Sequence, residues 1–585
     1  MKELKYINKF FSKYKYKLLI GIVITIIARI FSLVVPPYIK NSLAAVEAFL
    51  LDPDQDPEII KGKLVTYILI IVVAAILSAF FTFLMRQTII NVSRYIEFDL
   101  KNEIFQQYQR LSLSFYKKNR TGDLMNRISE DVSQVRMYSG PAIMYSIQTI
   151  TLFVCVIPMM FYSSPTMAIY TLIPLPILSV LIYKISRIIH KRSTVVQEFL
   201  SKLSTFSQES FSGVSVIKAY GIESRINSEA EVLSNEGKDK SMDLVRVNAW
   251  FMPLMALLIG ISTIFVIFIG GRQYIKGEID SIGVIAEFII YVNYLTWPVA
   301  TVGWVTSIVQ RAEASQARIN EFLKQVPDIQ NAVTQQTPVE GKIEFKNVSF
   351  TYEDTNITAL KNVSFVAEKG ETVAIIGRTG SGKSTVLDLI GRLYDATKGE
   401  IHIDDTPVKK LNLYDLRNAI GAVPQDAFLF SDTIKNNIKF GKENATHEEI
   451  VEVARKAAVH KNIEGFTKKY DTVLGERGIT LSGGQKQRIS IARALIKDPK
   501  IFLFDDCLSA VDTETEEEIL ANLHNSVQKK TTIIVSHRIS SAKNADKIIV
   551  LEDGKIVQQG THNQLLNTEG YYKELYLSQL SEKDL

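Results

Sequence analysis

The chain has 585 residues, 47% of them hydrophobic and 22% charged, with a formal net charge of +5. That length exceeds one ordinary globular core of about 150 residues, and 30 Gly with 16 Pro do not make a disordered or low-complexity chain. Two cysteines exclude a disulfide scaffold and a structural zinc site, and so dilute a charge gives no footprint for nucleic acid.

The elements begin with a Lys-rich start: Lys2, Lys5, Lys9, Lys13, Lys15 and Lys17. Six apolar runs follow, at residues 18–38, 64–84, 141–162, 165–185, 249–270 and 282–304. Each is long enough to cross a hydrocarbon core of about 30 Å. Six such runs in succession predict a membrane domain rather than buried helices of a soluble core. A cleaved signal explains the first run less well, because more spans follow it.

Orientation follows from the basic residues at the span ends. The N-terminus is expected in the cytoplasm. The loop with Glu47, Asp52, Asp54, Asp56 and Glu58 is expected outside. The second and fourth connections then return to the cytoplasm, and so does everything after the sixth span. Helical period continues through 96–111 and 195–206, so the membrane helices are expected to extend into the cytoplasm. Each inner loop has a punctuated middle, at 115–121 and 219–225, which by composition reads as an ordinary helix–helix turn.

Two ionisable residues fall inside spans and are functional suspects. Arg29 either pairs with a carboxylate or lines a wet cavity, or makes a structural bond between helices. Glu287, near the outer end of the sixth span, is expected to reach the interface. Trp250, Met252, Met255, Tyr291, Tyr294 and Trp297 offer a soft lining for a cavity, but such stripes more often pack or face lipid.

After Pro327 the pattern changes to short strand-like alternations at 343–350, 372–376, 401–403 and 500–504, separated by helical stretches. This is an α/β pattern. The expected division is a transmembrane domain over 1–326, a linker over 327–342 and an α/β domain over 343–585.

The sharpest local signal is Gly377, Arg378, Thr379, Gly380, Ser381, Gly382, Lys383, Ser384 and Thr385, which matches G-x-x-x-x-G-K-[ST]. It follows an apolar strand and opens a helical run, the context this phosphate-binding loop requires. Glycines let successive N–H groups form an anion nest, and the helix N-terminus adds partial positive charge. Lys383 supplies a point charge to the outer phosphates of a bound nucleotide, and Ser384 a hydroxyl to Mg²⁺. A chance match over the chain is roughly 0.02. Further on, the apolar run 501–504 ends in Asp505, the usual way to hold Mg²⁺ beside such a loop.

Leu481, Ser482, Gly483, Gly484 and Gln485 resemble the signature of ATP-binding-cassette (ABC) ATPases. The resemblance implies further roles in the same order. Tyr352 resembles the aromatic that stacks on adenine. Gln425 resembles the glutamine that senses Mg²⁺ and contacts the membrane domain. Residues 476–478 resemble the short loop before the signature. Residues 509–512, ending in Asp512, resemble the dimer-interface loop. His537 resembles the switch histidine at the γ-phosphate. Six spans followed by one cassette resemble an ABC exporter half-transporter, in which the inner-loop elbows are coupling helices. The fold this implies is an α-helical membrane domain followed by an α/β P-loop cassette. In that family each signature closes over nucleotide held by the other cassette, so one chain is half an engine.

One position departs from the pattern. The family's general base is usually Glu, directly after the Mg²⁺ aspartate. Here it is Asp506, one methylene shorter, and a shortfall of about 1 Å can cost ~10²-fold in rate. The expectation is a weak site, a heterodimer resembling bacterial heterodimeric multidrug exporters, and a partner that supplies the Glu. A homodimer stays open because His537 is retained.

The leading function is therefore ATP-driven efflux of amphipathic small molecules across the cell membrane. The alternatives are a lipid flippase or peptide exporter, and an ATP-gated channel or sensor. No protease-like domain precedes the first span, which weakens a cleaving peptide exporter. The seven His have no metal-site spacing, and no Ser-His-Asp or Cys-His pattern stands out.

Overall fold

The computed structural model describes residues 2–51, 56–475, 481–508, 513–527 and 529–581. It divides into two units, residues 1–107 with 122–325, and residues 108–121 with 326–585.

The first unit is built from long helices. Lys15–Leu51, Pro57–Arg110, Thr121–Ser163, Glu223–Ile275 and Gly283–Leu323 are each long and apolar enough to cross a membrane. Pro57–Arg110 has 54 residues, which is about 80 Å of helix, so it outruns an apolar slab of about 30 Å. Only 11% of its most apolar stretch is buried. Leu69, Val72, Val73, Ile76 and Phe80 face outward, the arrangement for a helix solvated by lipid.

The fourth expected span, 165–185, is interrupted. Pro165–Leu172 ends at Ile173, and a new helix runs Pro174–Ser212. Proline fits the first helical position because its missing N–H would be unpaired there anyway. Ser164, extended, caps the first piece by accepting from the Met167 N–H. The elbow at 219–225 breaks at Gly221, which takes φ +64° between helices Val214–Tyr220 and Glu223–Ala249. The other elbow contains its own short helix, Leu113–Lys118.

The intramembrane charges are placed differently from expectation. Glu287 does not reach the interface; it is buried. Its carboxylate accepts from Ser163 Oγ and Tyr291 OH, both at 2.8 Å, and lies 3.6 Å from Lys40 Nζ. The helices carrying Lys40 and Ser163 converge on it and Tyr291 lies one turn along its own helix, so the charge is satisfied without leaving the bundle. Arg29 donates to Gln148 Oε1 at 3.0 Å, an interhelical bond to an amide. The aromatic and Met set divides: Tyr291 and Met255 are buried, whereas Trp250, Met252 and Trp297 are exposed.

The second unit carries two sheets. β1 (Ile343–Thr351), β2 (Thr358–Ala367), β4 (Lys398–Ile403) and β5 (Thr406–Pro407) form an antiparallel sheet in the order β2-β1-β4-β5. β3 (Thr372–Gly377), β6 (Ile420–Val423), β7 (Ile501–Asp505), β8 (Thr531–Ser536), β9 (Lys547–Glu552) and β10 (Lys555–Gly560) form the second, in the order β10-β9-β3-β8-β7-β6. It is parallel except for β10 against β9. Ile376 pairs with Ser536, and Asp505 with Val535. The strand ends after Gly377, Asp505 and Ser536 therefore share one edge, where ligands bind in open α/β sheets. β3 is buried on both faces, as a central parallel strand must be.

The 108–121 segment is tied into this unit by side chains. Ser112 donates to Asp328 at 2.8 Å, and Ser114 donates to the same carboxylate. Those two bonds hold the Asp328 carboxyl below its usual range. Leu113 packs on the apolar core beneath β1 and β2.

Candidate functional site

At the strand edge the phosphate-loop residues form a cradle. A Cβ at Gly377 would lie 2.1 Å from Leu551 O, and one at Gly382 would lie 2.3 Å from Ala359 O. Gly382 also has φ +97°. Backbone therefore approaches backbone here too closely for any side chain. The helix Lys383–Ile390 starts directly after this turn.

Lys383 is buried, and its ammonium donates to the carbonyls of Gly377 (2.8 Å) and Arg378 (2.9 Å). Burial lowers its pKa, opposed by the negative charges of Asp506 and Asp505. Ser384 Oγ donates to Asp505 Oδ1 at 3.0 Å. Burial raises the Asp505 pKa, and the charge of Asp506 adds to this, against the Ser384 bond. Two hard oxygens adjacent beside a cationic nest are a fitting donor set for Mg²⁺ with a polyphosphate.

A cavity of about 280 Å³ is lined by Lys383, Ser384, Asp505, Asp506, Gln425 and His537, with Tyr352, Thr379, Gly380, Gly382 and Thr385 around them. Gly377, Arg378 and Ser381 back the loop rather than line the cavity. Arg378 lies 5.6 Å from the ring of Tyr571, and Ser381 Oγ is buried with no hydrogen-bond partner among the described residues. Tyr352 is oriented by a 3.0 Å hydrogen bond between its hydroxyl and Thr385 Oγ1, and by edge-on contacts with Phe350 and Tyr394. Lys117, from the 108–121 segment, sits 4.9 Å over its ring.

Asp506 follows β7 at φ +42°, a region few non-glycine residues adopt, and its N–H donates to Val535 O at 2.8 Å. It is buried, so its carboxylate is presented to the cavity by backbone geometry that the sheet fixes.

Ser482, Gly483, Gly484 and Gln485 do not line this cavity. They open the helix Gly483–Ile496 with a capping box, in which Ser482 Oγ accepts from the Gln485 N–H and Gln485 Oε1 accepts from the Ser482 N–H. Ser482 and Gly483 are exposed. Asp512, with 509–511 and 476–478, lies outside the described residues.

The geometry adds residues that spacing did not point to. Gln487 Nε2 donates to the Gln425 carbonyl, joining the signature helix to the glutamine loop. Asp388, one turn into the phosphate-loop helix, is largely buried, and burial pushes its pKa up to about 6 against the nearby Lys117 ammonium. Its place in an otherwise apolar run (Val386, Leu387, Leu389, Ile390) was the available signal. Cys507 is buried and free, and burial holds its thiol protonated.

The family described as ABC transporter transmembrane region matches residues 18–299, and the family described as ABC transporter matches 360–509. The multidrug resistance-like ATP-binding protein MdlA of Escherichia coli (strain K12) is 35% identical over 541 residues, 92% of this chain and 92% of that one. An ATP-dependent lipid A-core flippase of Syntrophus aciditrophicus (strain SB) is 35% identical over 553 residues, 93% of this chain and 91% of that one. The structure of a bacterial Atm1-family ABC exporter with ATP bound matches with a TM-score of 0.80 at 25% identity, over 96% of this chain and 99% of that one. With two family matches, relatives of full length and a phosphate cradle at the strand edge, the chain belongs to the ABC exporters: a multi-pass membrane protein whose cytoplasmic cassette binds ATP and couples its hydrolysis to transport.

Proposed function

We propose that this chain is one half of a heterodimeric exporter of amphipathic small molecules, and that its own nucleotide site is the weaker of two. The observation that carries this reading is Asp506 in the place next to Asp505 where the family usually has Glu. The phosphates of ATP lie in the nest of residues 377–385, with Lys383 on the outer phosphates and the base on Tyr352. Ser384, Asp505 and Gln425 hold Mg²⁺, which neutralises phosphate charge when bound. Asp506 orients water from a retracted position, and His537 donates to the γ-phosphate.

Ser482, Gly483, Gly484 and Gln485 act on the companion's nucleotide. Their helix start is exposed and away from this chain's own cradle, and a helix N-terminus binds phosphate. Asp512 belongs to the same dimer face. Residues 1–326 are the transport domain, 327–342 the linker and 343–585 the cassette, with 108–121 as a coupling element. ATP moves the helices only to the extent that it binds the closed dimer better than the open one.

The test is turnover in the purified pair. Lys383→Ala or Asp506→Asn in this chain reduces turnover less than a Glu→Gln change at the companion's corresponding carboxylate. Equal loss from both would mean two equivalent sites. A second reading, a lipid flippase, is favoured by the 35% identity to a lipid A-core flippase. Stimulation of the ATPase by lipid but not by cationic amphiphiles would select it.

A further inference from the structure

The loop after β8 carries His537, and its backbone is held by a residue far away in the chain. Arg538 is extended, at φ −107° and ψ 134°. In extended chain the carbonyl before a residue and the N–H after it point to the same side. Here those groups are His537 C=O and Ile539 N–H. Gln579 meets both: its Nε2 donates to His537 O at 2.9 Å, and its Oε1 accepts from Ile539 N–H at 2.9 Å. One side-chain amide thus replaces a strand partner at this point of the loop.

Gln579 lies on the last described helix, Tyr571–Ser581. That helix is anchored by Tyr572, which is fully buried and shares a 2.7 Å hydrogen bond with His562 Nδ1. Its first residue, Tyr571, packs under Arg378 of the phosphate loop. The same helix therefore touches both the phosphate loop and the loop that carries His537. The opposite side of the loop is held by Glu516, buried, which pairs with Arg538 and accepts from Ser540 and Ser541 at 2.8 Å. With both sides pinned, the direction of the His537 side chain is set by the backbone.

We propose that Gln579 is a positioning residue for His537, fixing the imidazole where it meets the terminal phosphate of a nucleoside triphosphate. The proposal rests on the reading of His537 as the γ-phosphate contact. It follows that Gln579 acts on the distinction between ATP and ADP, and not on nucleotide binding as such.

The experiment uses the full-length chain in lipid nanodiscs, with ATP and ADP affinities measured by displacement of a fluorescent nucleotide. His537→Ala lowers the ATP-to-ADP affinity ratio. Gln579→Ala lowers it by a similar factor, about fivefold for one or two lost hydrogen bonds, with ADP affinity changed by less than about twofold. The isosteric Gln579→Glu loses the ratio as well, because it keeps the acceptor but sets a carboxylate against the His537 carbonyl. The double variant His537→Ala, Gln579→Ala is no worse than His537→Ala alone. Tyr572→Phe, which loosens the helix elsewhere, leaves the ratio intact. A normal ratio in Gln579→Glu, an equal fall in ADP affinity, or further loss in the double variant would reduce Gln579 to a packing residue and overturn the proposal. An unchanged ratio in His537→Ala would remove the parent reading, and the proposal with it.

Discussion

One buried carboxylate in the membrane half and one largely buried in the cassette set the two units against each other. Glu287 sits among the apolar helices, where unpaired charge is most costly, and it is matched by Lys40, Ser163 and Tyr291. Asp388 sits in the cassette, where water is near, and burial raises its pKa to about 6, with Asp505 adding to the shift and Lys117 opposing it. The lesson is that burial alone does not set the energetics of a charge. The membrane half supplies a full set of partners because lipid offers none, whereas the cassette tolerates a partly compensated carboxylate beside its nucleotide site. The apolar residues tell the same story in reverse. Leu19, Ile20 and Ile76 are exposed at 61%, 53% and 62%, while Val373, Ala374 and Ile376 of β3 are at 0%. Similar side chains face outward in one unit and inward in the other because the surrounding solvent differs.

This contrast makes opposite predictions for the two carboxylates. The folded pKa of Asp388, about 6, lies above its ordinary value of 3.8. Folding therefore favours the protonated form, and the resulting penalty is absent below about pH 4, grows as pH rises through 6 and is constant above. Asp388→Asn removes it, worth about 3 kcal/mol at pH 7. The variant's cassette melts higher than the parent at pH 7 and together with it at pH 4. An equal gain at both pH values would break the comparison.

Next in size is Asp506→Glu. Restoring about 1 Å of reach raises turnover at this chain's own site by about 10²-fold, read as phosphate release from the purified pair in which the companion's catalytic carboxylate has been changed Glu→Gln. No increase would show that the strained turn, and not the short side chain, limits the site.

Glu287→Ala carries the opposite sign to Asp388→Asn. It takes the carboxylate from Lys40, which keeps Ser163 Oγ at 3.3 Å, leaves the Ser163 and Tyr291 hydroxyls without their acceptor, and destabilises the helix bundle by about 2 kcal/mol. Thermal unfolding of the detergent-solubilised chain reads this, with Glu287→Gln losing less. The smallest effect is Ser482→Ala, which removes one half of the capping box and costs about 1 kcal/mol in cassette stability.

Much of the cassette was legible because its signals are local. Residues 377–385 declare a strand, a glycine turn and a helix start within nine positions, and the structure has β3, the turn and the helix from Lys383 in that order. Gln425, the adjacent pair Asp505 and Asp506, and His537 are far apart in the chain, and the parallel order β3-β8-β7-β6 brings them to one edge. Family resemblance supplied that grouping; periodicity did not. Gln579 was not legible. Its partners are two backbone groups some 40 positions away, and no spacing marks such a contact. Glu287 was misread for a related reason. Its distance from the span end was visible, but its neighbours on other helices were not. The interruption of the fourth span at Ile173 had a local cause, Pro174, which hydropathy averages away.

The sequence by itself determined the lipid-facing apolar runs, the nucleotide loop and the shortened Asp506, because each depends on residue type over a few adjacent positions. The tertiary structure alone decided which charges find partners: Glu287 with Lys40, Arg29 with Gln148, and the His537 loop with Gln579 and Glu516. Those pairings join residues distant in the chain. Their energy depends on distance and burial, and these exist only once the helices and sheets have packed.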